Sequence, residues 1–168
     1  NSGISKKTIY AHFSNKTELV KTVTLHIFDI VKKGVDLIHA QEQNPIIELF
    51  EIKRFVMKHL KDEKSSPQYQ LQKYYPKIYK TLKQKQFKVM QELIKENLAK
   101  GIQQKLFRAT IDIDFTARIY FHGMVGIKDK DLFPLENNSM NTLTTNHLEY
   151  HLRGISTDKG IKELEKQL

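Results

Sequence analysis

Residues 3–19, GISKKTIYAHFSNKTEL, carry the most specific pattern in this 168-residue chain. Gly3 suits a tight turn, and Ser5 belongs to the residue types that cap the first turn of a helix. In the short helix that follows, Ile9 and Phe13 are four positions apart, so they lie on one face and can anchor it to the protein. The chain then turns again and enters a longer helix. Two helices joined in this way are typical of the second half of a helix-turn-helix unit.

The other faces of the short helix carry cationic and polar side chains, namely Lys6, Lys7, Tyr10 and His12. The first residues of a recognition helix enter the major groove of DNA, where cations and hydroxyl groups contact phosphates and base edges. Lys16 stands at the start of the next helix, where free backbone N–H groups attract a phosphate. This stretch therefore predicts a surface that binds double-stranded DNA.

The same stretch resembles the tetracycline-repressor (TetR) family of bacterial transcription regulators, whose pattern is Gly-Val-Ser-x-x-Thr-[Leu/Ile]-Tyr-x-[His/Tyr]-Phe-x-x-Lys-x-x-Leu. The matching residues are Gly3, Ser5, Thr8, Ile9, Tyr10, His12, Phe13, Lys16 and Leu19, with Ile4 in place of valine. Family members carry a first helix and most of a second before this glycine, so the helix-turn-helix is incomplete at its start in this sequence.

The resemblance implies both a division of the chain and a set of DNA contacts. Residues 1–33 are expected to be the remainder of the DNA-binding domain, and residues 34–168 an all-α effector-binding and dimerisation domain. The family's larger domain dimerises through its last two long helices and often binds an inducer among its central helices. By the same resemblance, residues 5–13 form the recognition helix. The residues expected to face DNA are Lys6, Lys7, Thr8, Tyr10 and His12, with Lys16 on a phosphate.

The rest of the sequence also predicts an all-α fold, because apolar residues recur at intervals of three and four and period-two alternation is nearly absent. Residues 62–67 read as a polar loop, and residues 106–113 as extended or irregular. The predicted helices run from Ser14 or Asn15 toward Gly34 or beyond, from Asn44-Pro45 to about Leu60, from Tyr74-Tyr75-Pro76 to about Lys100, from an Asp114 cap to about Ile127, from Thr142 to Arg153, and from a Thr157 or Asp158 cap into the tail.

The predicted helix from Phe115 to Ile127 is apolar on almost every side. A helix that is apolar all round is buried all round, so it lies either at the centre of the domain or in a subunit interface.

The net charge of +9 is concentrated in the middle of the chain, where residues 53–105 hold fourteen cations and four anions. Lysines there point at many helical angles, which favours a solvated helix face over a second nucleic-acid surface.

Polar and aromatic side chains in the larger domain are candidates for an effector pocket, because a pocket of this kind combines apolar walls with a few polar tips. Ordinary core packing is the alternative for each of them. The candidates are Phe55, Tyr74, Tyr120 and His122.

Several function classes find no support in the sequence. The chain has no Cys and no phosphate-binding, nucleophile-elbow or metalloprotease motif, so we predict no enzyme, no catalytic residue and no cofactor. His147 and His151 are four apart on one helical face, but no third ligand is visible nearby, so we also predict no metal site. We expect a cytoplasmic protein without membrane contact, because no stretch approaches roughly 18 consecutive apolar residues and the start lacks a signal-peptide core.

Two hypotheses follow. The first is a homodimeric DNA-binding transcriptional regulator, most simply a repressor released from its operator by a small, largely apolar ligand. The second is a helical ligand-binding or metal-binding bundle, enzymes included, in which the helix-turn-helix resemblance is vestigial.

Overall fold

The computed structural model describes residues 12–60, 67–134, 136 and 138–168. Within these ranges 76% of the residues are helical and no strand occurs, which confirms the all-α prediction. The recognition helix expected at residues 5–13 lies almost wholly outside them. The helices are α1 (Lys16–His39), α2 (Pro45–Leu60), α3 (Pro67–Tyr74), α4 (Pro76–Gln103), α5 (Ile113–Gly126), α6 (Met140–Ile155) and α7 (Asp158–Glu165).

Side-chain caps set where several helices begin, as the sequence predicts for α1 and α7. The Asn15 side chain accepts a hydrogen bond from the Glu18 backbone N–H at 2.9 Å. The Thr157 hydroxyl accepts one from the backbone N–H of Gly160 at 3.2 Å. Each bond satisfies an amide that has no partner inside its own helix.

The predicted cap of α5 is wrong by two residues. Asp112, not Asp114, is the cap, and its carboxylate accepts from the Phe115 backbone N–H at 3.0 Å. Asp114 lies in the first turn, where it pairs with Lys95 and Arg118. Asp114 therefore contributes ion pairs rather than a cap.

The centre of the fold is α4, the longest described helix, which contacts α1, α2, α3 and α5. Its apolar stripe enters the main core, and its N-terminal half enters a smaller cluster with α1 and α3. The most deeply buried core side chains are Ile46, Ile94, Leu98, Leu106, Phe107, Leu148, Leu152 and Leu164. Burial of these eight side chains contributes most to holding α2, α4, α6 and α7 together.

Gly34 and Gly101 resemble helix ends in the sequence but lie inside helices, and an aromatic side chain packs against each. A Cβ atom at Gly34 would lie 1.9 Å from the ring of Phe55, so α1 and α2 approach closely there. One at Gly101 would lie 2.0 Å from the ring of Phe107. The boundary predicted at residues 33/34 falls inside α1, and the division into two domains stays a prediction.

The short helix α3 was missed by the sequence analysis, although Pro67 at its first position is a common start signal. It packs against α4, and its Leu71 is buried beside Ile78 and Leu82.

Candidate functional site

The described end of the predicted DNA-binding unit is an ordered turn. The Ser14 backbone N–H donates to the Glu18 carboxylate at 2.9 Å, and hydrogen bonds from Ser14 hold the pKa of Glu18 below its usual range. His12 and Lys16 are both exposed on either side of this turn. The other four predicted DNA contacts, Lys6, Lys7, Thr8 and Tyr10, lie outside the described residues.

The four predicted effector-pocket residues occupy separate places. Phe55 packs on Gly34 and lies 4.1 Å, centroid to centroid, from the ring of His59. Tyr74 is 62% exposed, whereas Tyr120 is buried. His122 is exposed and lines a groove that the other three do not line.

Tyr120 is the centre of a buried ring cluster that joins α5 to α6. Its ring centroid lies 5.4 Å from that of His147 and 4.7 Å from that of His151. The Nε2 atom of His147 lies 3.2 Å from the Tyr120 backbone oxygen. The close approach requires Gly123, because a Cβ atom there would lie 2.2 Å from His147.

Burial controls the protonation of this cluster. The pKa of His151 falls to about 4 because the ring is buried, with a further contribution from His147. Burial also lowers the pKa of His147 and raises that of Tyr120. The Nε2 atom of His151 is buried without a hydrogen-bond partner. No group of three or more potential metal ligands occurs within the described ranges.

We expect the His151→Phe variant to lose less stability in acid than the parent protein. The folded-state pKa of His151 lies below its unfolded value of about 6.5. The stability that depends on the neutral, buried ring is therefore fully present above pH 6.5 and is lost as the pH falls toward 4. That loss amounts to about 3 kcal/mol at pH 4 and below. Urea unfolding from pH 7 to 4 measures it. A difference between the two proteins that does not change with pH would contradict the assignment.

The His39 side chain links the C-terminal end of α1 to two other helices. Its Nδ1 atom lies 2.8 Å from the Glu48 carboxylate on α2, and its Nε2 atom lies 2.9 Å from the Glu96 carboxylate on α4. The hydrogen bond to the fully buried Glu48 raises the pKa of His39. The last turn of α1 is therefore coupled to α2 and α4, a link that the sequence analysis did not find.

One face of α5 and α6 is apolar and exposed. Phe115, Ile119 and Tyr150 are 61%, 48% and 80% exposed, and a shallow groove of about 400 Å³ runs between the two helices. Of the two places expected for α5, the centre of the domain is therefore wrong, and a subunit interface stays a prediction. Only the face that carries Ala117, Tyr120 and Phe121 is buried.

A larger groove of about 690 Å³ lies between α4 and α5. It has an apolar floor and a cationic rim, which the sequence analysis missed. The α4 lining residues follow the spacing of one helical face, but the α5 set includes the buried Phe121, so the sequence alone did not show which residues meet. The lining residues are Lys80, Lys83, Gln84 and Phe87 of α4, and Phe115, Arg118, Ile119, Phe121, His122, Val125 and Gly126 of α5.

Comparisons of the chain with protein-family models, curated proteins and solved structures found no match. Within the part of the chain that the structure describes, no helix has both the length and the apolar character needed to cross a bilayer.

Proposed function

We propose that this protein is a cytoplasmic homodimeric transcriptional regulator that binds DNA and acts as a repressor. The observation that carries the proposal is the sequence pattern of residues 3–19, which predicts a glycine turn, a capped short helix, an apolar anchoring pair and outward cations. The same residues resemble the recognition stretch of the TetR family, and this resemblance is what favours a helix-turn-helix that reads DNA.

The geometry next to this stretch is compatible with the proposal. Asn15 caps α1 directly after the predicted recognition helix, and Lys16 is exposed at the positive end of α1. Such a helix start binds a phosphate through its backbone N–H groups and its dipole. The 24-residue α1 then extends about 36 Å to His39, within the helical bundle. A shift of α2 or α4 against His39 would therefore be carried to the DNA-binding end.

The exposed apolar face of α5 and α6 supports a homodimer. Large exposed apolar side chains that lie together on one face indicate a binding surface. A second copy placed on the same face would cover Phe115, Ile119 and Tyr150 in a two-fold arrangement.

The mechanism follows from dimer geometry. Two recognition helices must lie about 34–36 Å apart to enter successive major grooves on one side of the duplex. A ligand that binds more tightly to a dimer with another separation releases the DNA by population shift.

Titration of the protein onto the promoter region of its own gene tests the proposal. We expect a footprint with two half-sites about ten base pairs apart, bound by two copies, and an affinity that falls steeply with salt. No footprint at low salt, or an affinity insensitive to salt, would refute DNA-binding regulation.

A further inference from the structure

We propose that the groove between α4 and α5 binds a single-chain amphipathic carboxylate. Its effector role depends on the proposed function, whereas binding itself does not. Lys80, Lys83 and Arg118 lie on the rim, above an apolar floor that includes Phe87 and Phe121.

The floor of the groove is a fixed aromatic surface. The rings of Phe87 and Phe121 meet edge to face with centroids 5.1 Å apart, and Phe121 is buried. Phe115 and Ile119 extend this surface toward solvent at 61% and 48% exposure. Exposed apolar area of this extent is stabilised when an apolar chain covers it.

The rim of the groove is cationic and lacks acidic lining residues. Neither Lys80 nor Lys83 forms an ion pair with an acidic residue in the described ranges, and both are exposed. Arg118 is positioned by Asp114, with its Nε atom 2.6 Å from the carboxylate, and its guanidinium lies 5.6 Å from the Phe87 ring centroid. Lys80 and Lys83 are therefore complementary to an anionic head group, and Arg118 adds a cation whose charge Asp114 partly offsets.

The groove is large enough for an extended chain of about twelve carbons. Its volume of about 690 Å³ is within the range of small-molecule sites. Its α5 wall runs from Phe115 to Gly126, about 16 Å along the helix. An extended twelve-carbon chain spans about 13 Å, so the chain lies along the floor while its carboxylate reaches the rim.

The position of the groove suggests how the ligand acts as an effector. Phe115 and Ile119 line this groove and also belong to the face proposed for dimerisation. A chain bound against these two side chains changes how a second copy packs on α5. The same event therefore changes the separation of the two recognition helices.

Calorimetric titration with dodecanoate, kept below the concentration at which micelles form, tests the binding. We expect saturable binding of one molecule per chain, and at least tenfold weaker binding of the neutral dodecanol. Lys80→Gln plus Lys83→Gln is expected to weaken dodecanoate binding at least tenfold. The matched control, Lys77→Gln plus Lys88→Gln, removes the same charge from α4 outside the groove and is expected to leave the affinity unchanged. Equal effects of the two pairs would overturn the proposal.

A blocking variant tests the location without disturbing the core. A Cβ atom at Gly126 meets no atom within 4 Å, so Gly126→Leu fills the groove in a folded protein and is expected to abolish saturable binding. Full dodecanoate affinity in Gly126→Leu would overturn the proposal. A second outcome would also overturn the proposal: the parent protein does not bind dodecanoate, and Gly126→Leu dissociates its dimer. The groove would then be the binding site of a second copy.

A promoter titration with dodecanoate distinguishes this inference from the proposed function. We expect dodecanoate to release the promoter from the parent protein and not from Gly126→Leu. Saturable dodecanoate binding by a protein that never binds the promoter would refute the regulator and uphold the groove. Promoter binding without any dodecanoate binding would refute the groove alone.

Discussion

The Gly101→Ala variant is expected to lose about 3 kcal/mol of unfolding free energy, because α4 has no room for a Cβ atom at this position. Such an atom would lie 2.0 Å from the ring of Phe107, and three atoms of that ring lie within 2.8 Å of it. Phe107 is 1% exposed, so its ring cannot rotate into solvent to relieve the clash. The backbone oxygen of Gly101 also accepts hydrogen bonds from the amides of Leu106 and Phe107, at 2.8 and 3.1 Å. A shift of the backbone to relieve the clash in the variant would therefore disturb the turn after α4 as well.

Gly154→Ala is the matched control, since Gly154 is also helical and a Cβ atom there meets no atom within 4 Å. Alanine favours the helix by about 1 kcal/mol over glycine, so the control is expected to be slightly more stable than the parent. Urea unfolding followed by circular dichroism at one protein concentration measures both variants. A Phe107→Leu background is expected to reduce the cost of Gly101→Ala. Equal stability changes in Gly101→Ala and Gly154→Ala would contradict the steric argument.

The double substitution Lys6→Ala plus Lys7→Ala is expected to weaken promoter binding about a hundredfold. Each lost contact to a phosphate or a base edge costs about 1–3 kcal/mol, and 1.4 kcal/mol corresponds to tenfold. Loss of two phosphate contacts also lowers the slope of log affinity against log salt by about 2. Fluorescence anisotropy with a labelled promoter fragment at several salt concentrations measures both quantities.

The matched control is Lys77→Ala plus Lys88→Ala, which removes the same amount of charge from α4. It distinguishes the loss of direct DNA contacts from the loss of net positive charge. It is expected to weaken binding less than threefold at moderate salt, because screening limits distant charges. Circular dichroism of each variant confirms that its helices are retained. Equal losses in the two double variants would mean that the net charge of +9, rather than a recognition helix, attracts the duplex.

Local signals in the sequence were sufficient for most helices. Asn15 and Asn44-Pro45 each mark a helix start, as does Thr157 near the end of the chain. Such caps act over three or four residues, which is why they can be recognised without a three-dimensional structure. The cap of α5 was misassigned, because Asp112 and Asp114 are both suitable cap residues and only the structure shows that Asp112 accepts from the Phe115 amide.

The candidate sites were harder to predict. The lining of the α4–α5 groove combines residues of two helices that are at least 28 positions apart, and neither helix alone shows which face the other leaves open. The link from His39 to Glu48 and Glu96 has the same origin, since the partners are nine and 57 residues away. The predicted pocket residues Phe55, Tyr74, Tyr120 and His122 share an aromatic ring and not a location.

From the sequence alone came the all-α class, most helix starts and the pattern at residues 3–19, because periodicity, capping and a short motif depend on neighbours within one or two turns. Only the tertiary structure decided that aromatic rings pack against Gly34 and Gly101, that one face of α5 is exposed, and that three cations border an apolar groove. Those features depend on which helix faces meet, and that is set by the simultaneous fit of side chains distant in the chain.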